Sequence, residues 1–327
     1  MSLVKIWEEL LDYSPISPND DFFELGGTSL LAVRLFARIK KKFDKNLPPI
    51  TLLQHRTIRG LAGLLAEDEV AWTTVVPLKA SGHKAPIFCL HAGLGHVFFY
   101  HPLAKALGSD HPVYAIQPEG LDGETEMHET IEEMAAFYLE EIKKVQPEGP
   151  YVFLGYCHST AVALEMGRML LEAGESLPEL LIVDSAPREG ELDQVVSERT
   201  AKKSLRWYLG SLKVGKYQRV FDDLAVNYIP KMFLSKQRRE MQDVHRLKQG
   251  LVAAYERYIW PTYEGKGGLF ISKEFSERPD KMARMDNWGA LLKGGVEKII
   301  VESDHATIFE AGNVDLLAER IGAYLDS

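Results

Sequence analysis

The 327-residue chain has 46% hydrophobic and 26% charged residues, the balance expected of a soluble globular protein with room for two domains. Its formal charge of −9 speaks against a nucleic-acid binder, no apolar run is long enough to span a membrane, and no secretion signal opens the chain. Two cysteines, Cys89 and Cys157, are too few for a disulfide framework and fit a reducing cytoplasm.

Leu3, Ile6, Trp7, Leu10 and Leu11 recur at helical spacing and predict a first amphipathic helix, ended by Pro15 and Pro18. A loop follows to Leu30. A second helix is expected from about Leu30 to Phe43, with Leu31, Val33, Leu35, Phe36 and Ile39 as its apolar positions. A short helical piece near Thr51 to Leu53 and a last helix from about Thr57 to Ala66, capped by Thr57, complete a small four-helix bundle over residues 1–68.

The stretch Asp21-Phe22-Phe23-Glu24-Leu25-Gly26-Gly27-Thr28-Ser29-Leu30 closely resembles the core of peptidyl carrier domains of nonribosomal peptide synthetases. The resemblance covers about Leu3 to Ala66. It implies that Ser29 bears a 4′-phosphopantetheine arm, put there by a phosphopantetheinyl transferase and served by upstream condensation and adenylation domains. Gly26 and Gly27 would leave the loop uncrowded for that modification. A helix N-terminus tolerates a phosphodiester well. The blander role for Ser29 is a plain helix cap. Met1 stands so close to the first helix that the chain is expected to be a piece of a longer synthetase.

Residues 69–83 are expected to be a flexible linker that keeps Ser29 at high effective concentration near the second domain, residues 84–327. There, Ile87 to Leu90, Val113 to Ile116, Tyr151 to Leu154, Leu180 to Val183, Leu269 to Ile271 and Lys298 to Val301 read as buried parallel strands. Helix-period segments lie between them, one marked by Ile131, Met134, Ala135, Tyr138, Leu139, Ile142 and Val145. Gly155-Tyr156-Cys157-His158-Ser159 follows an apolar run and opens a helical pattern, as a nucleophile elbow does. Together these predict an α/β-hydrolase domain with Cys157 as nucleophile. Ser159 is the rival, two residues past the tip of the elbow.

Tyr114 to Gly123, Thr130 to Ala135 and Gly149-Pro150-Tyr151 resemble segments of terminal thioesterase domains, over about Ala85 to Leu325. The resemblance implies Asp184, at the end of the strand after the elbow, as the acid. It implies His305, after the last strand, as the base, in the chain order nucleophile, acid, base. The oxyanion is expected at the backbone N–H groups of His158 and Gly93, with Ala92 the alternative to Gly93. For the side chains of His91 and His158 a hydrogen-bonded structural role is favoured over that of a second base. Cys89 reads as a small buried residue, and His96, His101, His111 and His128 offer no metal-ligand spacing, so no metal is expected.

A helical lid is expected at about 188–262. Its apolar faces are Leu205, Tyr208, Leu209 and Leu212; then Phe221, Leu224, Ala225 and Tyr228; then Leu247, Leu251, Ala254, Tyr255 and Tyr258. Lys202, Lys203, Arg206, Arg238 and Arg239 are read as solvated faces, with contact to the acidic carrier loop or the phosphate of the arm the alternative. Trp207, Tyr208 and Trp260 either line a cavity or fill the lid core. The whole is expected to release chains: an acyl or peptidyl group passes from the arm on Ser29 to Cys157 and leaves by cyclisation, aminolysis or hydrolysis. Cys in place of the usual Ser, native or engineered, favours an amide or a strained ring over a free acid. The rival readings are a non-catalytic docking module and a stand-alone esterase.

Overall fold

The computed structural model describes residues 2–67, 70, 72–93, 95–108, 110–122, 125–187 and 242–327. Most of the expected lid, including Lys202, Lys203, Arg206, Trp207, Tyr208, Arg238 and Arg239, lies outside the described residues.

The first domain holds α1 (Leu3–Leu11), α2 (Ser29–Phe43) and α3 (Ile58–Leu65). The fourth expected helix is a single 3-10 turn, Pro49–Leu53, opened by two prolines that fix φ and deny it further backbone donors. Leu3, Ile6, Trp7 and Leu10 form the buried stripe of α1, and Trp7 packs edge-on against Phe22 at 5.0 Å. The Thr57 hydroxyl accepts from Gly60 N at 3.1 Å and caps α3, as expected. Gly26 has φ +89° and stands in open space, but a Cβ on Gly27 would come within 2.3 Å of the Phe22 ring. Gly27 therefore serves close packing rather than access, which corrects the expectation of an uncrowded loop at that residue.

The second domain is a seven-stranded sheet in the order β1-β3-β2-β4-β5-β6-β7. Its strands are β1 (Val75–Lys79), β2 (Ile87–Leu90), β3 (Val113–Ile116), β4 (Val152–Tyr156), β5 (Glu179–Val183), β6 (Gly267–Ser272) and β7 (Val296–Val301). All pairs are parallel except β1 with β3. Thus the middle of the expected linker, Val75–Lys79, is an edge strand. Val75 and Val76 are buried there, and Pro77 is tolerated because an edge strand has spare donors. At the other edge β7 is mostly exposed, with Ile300 52% exposed, so it is not the buried strand its apolar run implied.

Successive side chains of β2 point to opposite faces: Phe88 and Leu90 join one apolar cluster, Ile87 and Cys89 the other. Helices α5 (Ile131–Val145), α6 (Thr160–Glu172) and α7 (Gln242–Arg257) cover the first face. Helices α4 (His101–Ala106) and α11 (Val314–Leu325) cover the second. Short helices α8 (Lys273–Ser276), α9 (Pro279–Asp286) and α10 (Trp288–Leu291) fill the crossover from β6 to β7. Because β4, β5 and β7 run parallel, their C-terminal ends meet along one edge of the sheet, where open α/β folds place their sites.

Candidate active site

β4 ends at Tyr156, and the chain turns at once through a 3-10 turn, Cys157–Ser159, into α6. Cys157 has φ +56°, a left-handed conformation that costs a non-glycine residue about 1 kcal/mol or more. Its neighbours hold it there. A Cβ on Gly155 would meet Thr160 Cα at 2.5 Å, so only glycine lets the strand pass so close to the helix. The Ser159 hydroxyl accepts from Tyr156 N at 3.0 Å and donates to Tyr156 O at 3.1 Å. Ser185 Oγ donates to Cys157 O at 2.7 Å, and Trp288 Nε1 fixes Ser185 through its carbonyl at 2.8 Å. Ser159 is buried and its hydroxyl is spent on the turn, which leaves Cys157 as the residue displayed.

Asp184 follows β5 directly, with φ +45°, and is 3% exposed. Its Oδ1 accepts from Ser272 N at 2.7 Å, and its Oδ2 lies 3.0 Å from His305 Nδ1. The carboxylate that meets the imidazole is thus that of Asp184, although Asp304 is next to His305 in the chain. His305 N donates to Glu274 Oε2 at 3.1 Å, and its ring stacks on Phe275 at 4.6 Å and 11°. Tyr156 Oη donates to His305 O at 2.7 Å and lies 3.2 Å from His305 Nε2. Burial opposes the charged imidazole, but hydrogen bonds to Asp184 and Cys157 outweigh it and raise His305 to about 9. Burial likewise opposes the thiolate, yet hydrogen bonds from His158 and His305 bring Cys157 down to about 5. At neutral pH the site is therefore a thiolate–imidazolium pair.

The loop after β2 faces this pair. A Cβ on Gly93 would lie 3.7 Å from His158 Nδ1, which sets Gly93 across from the elbow. His91 anchors the loop from beneath: Nδ1 donates to Ala92 O at 3.1 Å, and Nε2 accepts from Tyr138 Oη at 2.9 Å. Burial lowers His91 to about 4, so it stays neutral and structural. The side chain of His158 reaches the elbow thiol. Its Nδ1 lies 3.3 Å from Cys157 Sγ. Cys89 is fully buried, and its thiol is pushed well above its usual range by desolvation. From the lid, α7 buries Leu247, Leu251, Ala254 and Tyr255, and Tyr255 meets the His158 ring edge-on at 4.5 Å. Trp260 sits among Tyr255, Tyr258 and Trp288, so it fills a core.

The elbow pattern pointed to Cys157 and the thioesterase resemblance to Asp184 and His305, and the three come together at one edge of the sheet. Neither pointed to Tyr156, Glu274 and Phe275, which hold His305. In the first domain Ser29 is the first residue of α2, and the cap is Thr28, whose hydroxyl accepts from Leu31 N at 3.3 Å. The cap role is therefore already taken. An anionic phosphodiester on the next residue would meet the positive end of a 15-residue helix, so the position fits a phosphopantetheine arm.

A strained elbow at the end of a central parallel strand, with a carboxylate and an imidazole from later strands, defines an α/β hydrolase joined to a helical carrier. Comparison with known families makes this specific. The thioesterase domain family matches residues 85–325, and the phosphopantetheine attachment site family matches residues 2–65. The chain therefore belongs to the thioesterase domain family and carries a phosphopantetheine attachment domain ahead of it. It is 39% identical over 189 residues to malpibaldin synthetase of Mortierella alpina, covering 57% of this chain and 3% of that protein. It is 35% identical over 187 residues to a dimodular nonribosomal peptide synthase of Bacillus subtilis, covering 57% of this chain and 8% of that protein. The crystal structure of holo-AB3403, a four-domain nonribosomal peptide synthetase bound to AMP and glycine, matches with a TM-score of 0.63 at 25% identity. That match covers 99% of this chain and 26% of the other. The chain thus spans less than a tenth of these two curated relatives. Among the described residues no helix is long and apolar enough to cross a membrane.

Proposed function

We propose that this chain is the release unit of a nonribosomal peptide synthetase, with Ser29 as the attachment point of the arm and Cys157, His305 and Asp184 as the catalytic set. The observation that carries the reading is the Asp184–His305 contact of 3.0 Å beside the thiol displayed at the left-handed elbow residue Cys157. The arm, when attached to Ser29, supplies a thiol that holds the chain as a thioester. A phosphopantetheinyl transferase attaches it, upstream condensation and adenylation domains extend the chain, and a reducing cytoplasm keeps Cys157 free.

The chemistry follows from the charges. Cys157 Sγ attacks the thioester carbonyl and forms a new C–S bond. The displaced thiolate takes the proton from His305 Nε2, which leaves that nitrogen free as the base for release. Asp184 holds Nδ1–H and keeps the ring oriented through the cycle. The backbone N–H groups of His158 and Gly93 face the carbonyl oxygen as it becomes an oxyanion. The acyl-Cys157 thioester is then resolved by an amine, a hydroxyl or water, with His305 taking the proton. A thioester reacts with amines more readily than an oxoester does, so an amide or a strained ring is the preferred product over a free acid.

The test is intact-protein and peptide mass spectrometry after Ser29 is loaded with a short acyl-phosphopantetheine. Acyl mass should appear on the Cys157 peptide in the wild type and be absent in Cys157→Ala. Acyl mass that remains on Ser29 in both, over a panel of acyl groups, would support a docking module instead. Release products that are only linear acids would overturn the preference for amine release.

A further inference from the structure

We propose that His158 is a second catalytic imidazole, whose Nδ1–H donates to Cys157 Sγ and holds the sulfur as a thiolate both when it attacks and when it leaves. This rests on the reading of Cys157 as nucleophile and deepens it.

The geometry carries the assignment. Nδ1 of His158 lies 3.3 Å from Sγ, within reach of a hydrogen bond to sulfur. Two separate elements place the ring, and a third leaves room in front of it. The 3-10 turn supplies its backbone and α7 supplies the Tyr255 ring at 4.5 Å, while Gly93 in the β2 loop puts no side chain in front of it. Tyr255 is itself held, since its Oη donates to Ala186 O at 3.2 Å. Any side chain at position 93 would approach the space in front of Nδ1. The two imidazoles are the titratable groups on the sulfur, and the phenols of Tyr156 and Tyr255 face their rings.

A second donor has a task that His305 cannot do alone. His305 Nε2 is shared with Tyr156 Oη at 3.2 Å. During release by an amine, the N–C bond forms and the ammonium proton passes to His305 Nε2, which must be empty at that moment. The C–S bond then breaks and its electron pair goes to Sγ. A hydrogen bond from His158 Nδ1–H receives that charge without waiting for the proton on His305. Thioester and amine become amide and thiolate, with no other reactant. The depressed pKa of Cys157, to which His158 contributes ahead of His305, agrees with this division of work.

The experiment uses the full chain and reads alkylation of Cys157 by iodoacetamide against pH, by peptide mass spectrometry, because only the thiolate reacts. The wild-type rate should reach half its plateau near pH 5. His158→Phe keeps a ring against Tyr255 and removes the donor. It should move the midpoint up by about one to two pH units. His158→Asn places an amide near the position of Nδ1 and should fall between the two. Circular dichroism confirms that each variant is folded, and acyl-Cys157 should react with an amine about tenfold more slowly in His158→Phe. A His158→Phe profile that coincides with the wild type would overturn the proposal and leave His158 as packing for Tyr255. Because alkylation needs no acyl substrate, a shifted profile in a chain that never takes up acyl groups would sink the release reading and leave the imidazole pairing standing.

Discussion

At the scale of single residues the site turns on the charge state of one sulfur. Cys157 is held near 5 and His305 near 9, so the reactive pair exists between those values. Acyl transfer to Cys157 should rise with pH through about 5 as the thiolate forms, and fall through about 9 as His305 loses the proton it gives to the leaving thiol. In Cys157→Ser the hydroxyl stays protonated, and His305 must be neutral to act as base. The acid limb then follows the imidazole and should move up by more than about one unit. An acid limb that stays near 5 in the serine variant would show that the pair does not set it. Tyr156→Phe removes the hydroxyl that holds His305 at its carbonyl and at Nε2. One such bond contributes about 1 kcal/mol, so kcat/KM should fall about fivefold while the fold is kept. The role of Tyr156 was not legible in the sequence. Its ring reaches a residue 149 positions away, and nothing in spacing announces such a contact.

At the scale of elements, the strand–elbow–helix unit was legible because its physics is local. An apolar run, a glycine and a helical pattern suffice to predict it. Its neighbours were less legible. β1 lies within what reads as a tether, because two valines and a proline carry little period. The 3-10 turn Pro49–Leu53 reads only as a short helical piece because five residues are too few to display a helical period. Gly155 is the point at which this unit is most easily broken. A methyl group there would stand 2.5 Å from the backbone of Thr160, and backbone cannot swing aside as a side chain can. Gly155→Ala should cost about 1–3 kcal/mol and lower the melting temperature of the larger domain by several degrees, read by calorimetry. A milder test falls on α2. Thr28→Ala removes the cap on Leu31 N, worth about 1 kcal/mol, so the first-turn amides of α2 should exchange about fivefold faster.

At the scale of the molecule, the sequence separates two domains cleanly but says nothing of how they touch. Among the described residues, backbone carbonyls are acceptors in their contact, and no residue pattern reveals those. Lys40 Nζ and Asn46 Nδ2 of the carrier donate to Asp122 O at 3.1 and 3.3 Å, and Trp72 Nε1 donates to Asn46 O at 2.9 Å. Lys40 is eleven residues along α2 from Ser29, or about 16 Å at the helical rise, so this contact uses the end of the helix remote from the attachment residue. Polar bonds of this kind are typical of domain contacts that can part. The carrier is thus expected to be parked on the larger domain in part by these bonds. Trp72→Ala should loosen the parked state. Small-angle scattering should show a larger radius of gyration, and proteolysis within residues 66–74 should be faster. Transfer from Ser29 to Cys157 should slow by less than about tenfold, because the tether still holds the two at high effective concentration. Unchanged scattering and cleavage would mean that Trp72 does not hold the carrier. A collapse of transfer would mean that the parked contact is itself the productive one, with the arm reaching Cys157 from where the carrier already lies.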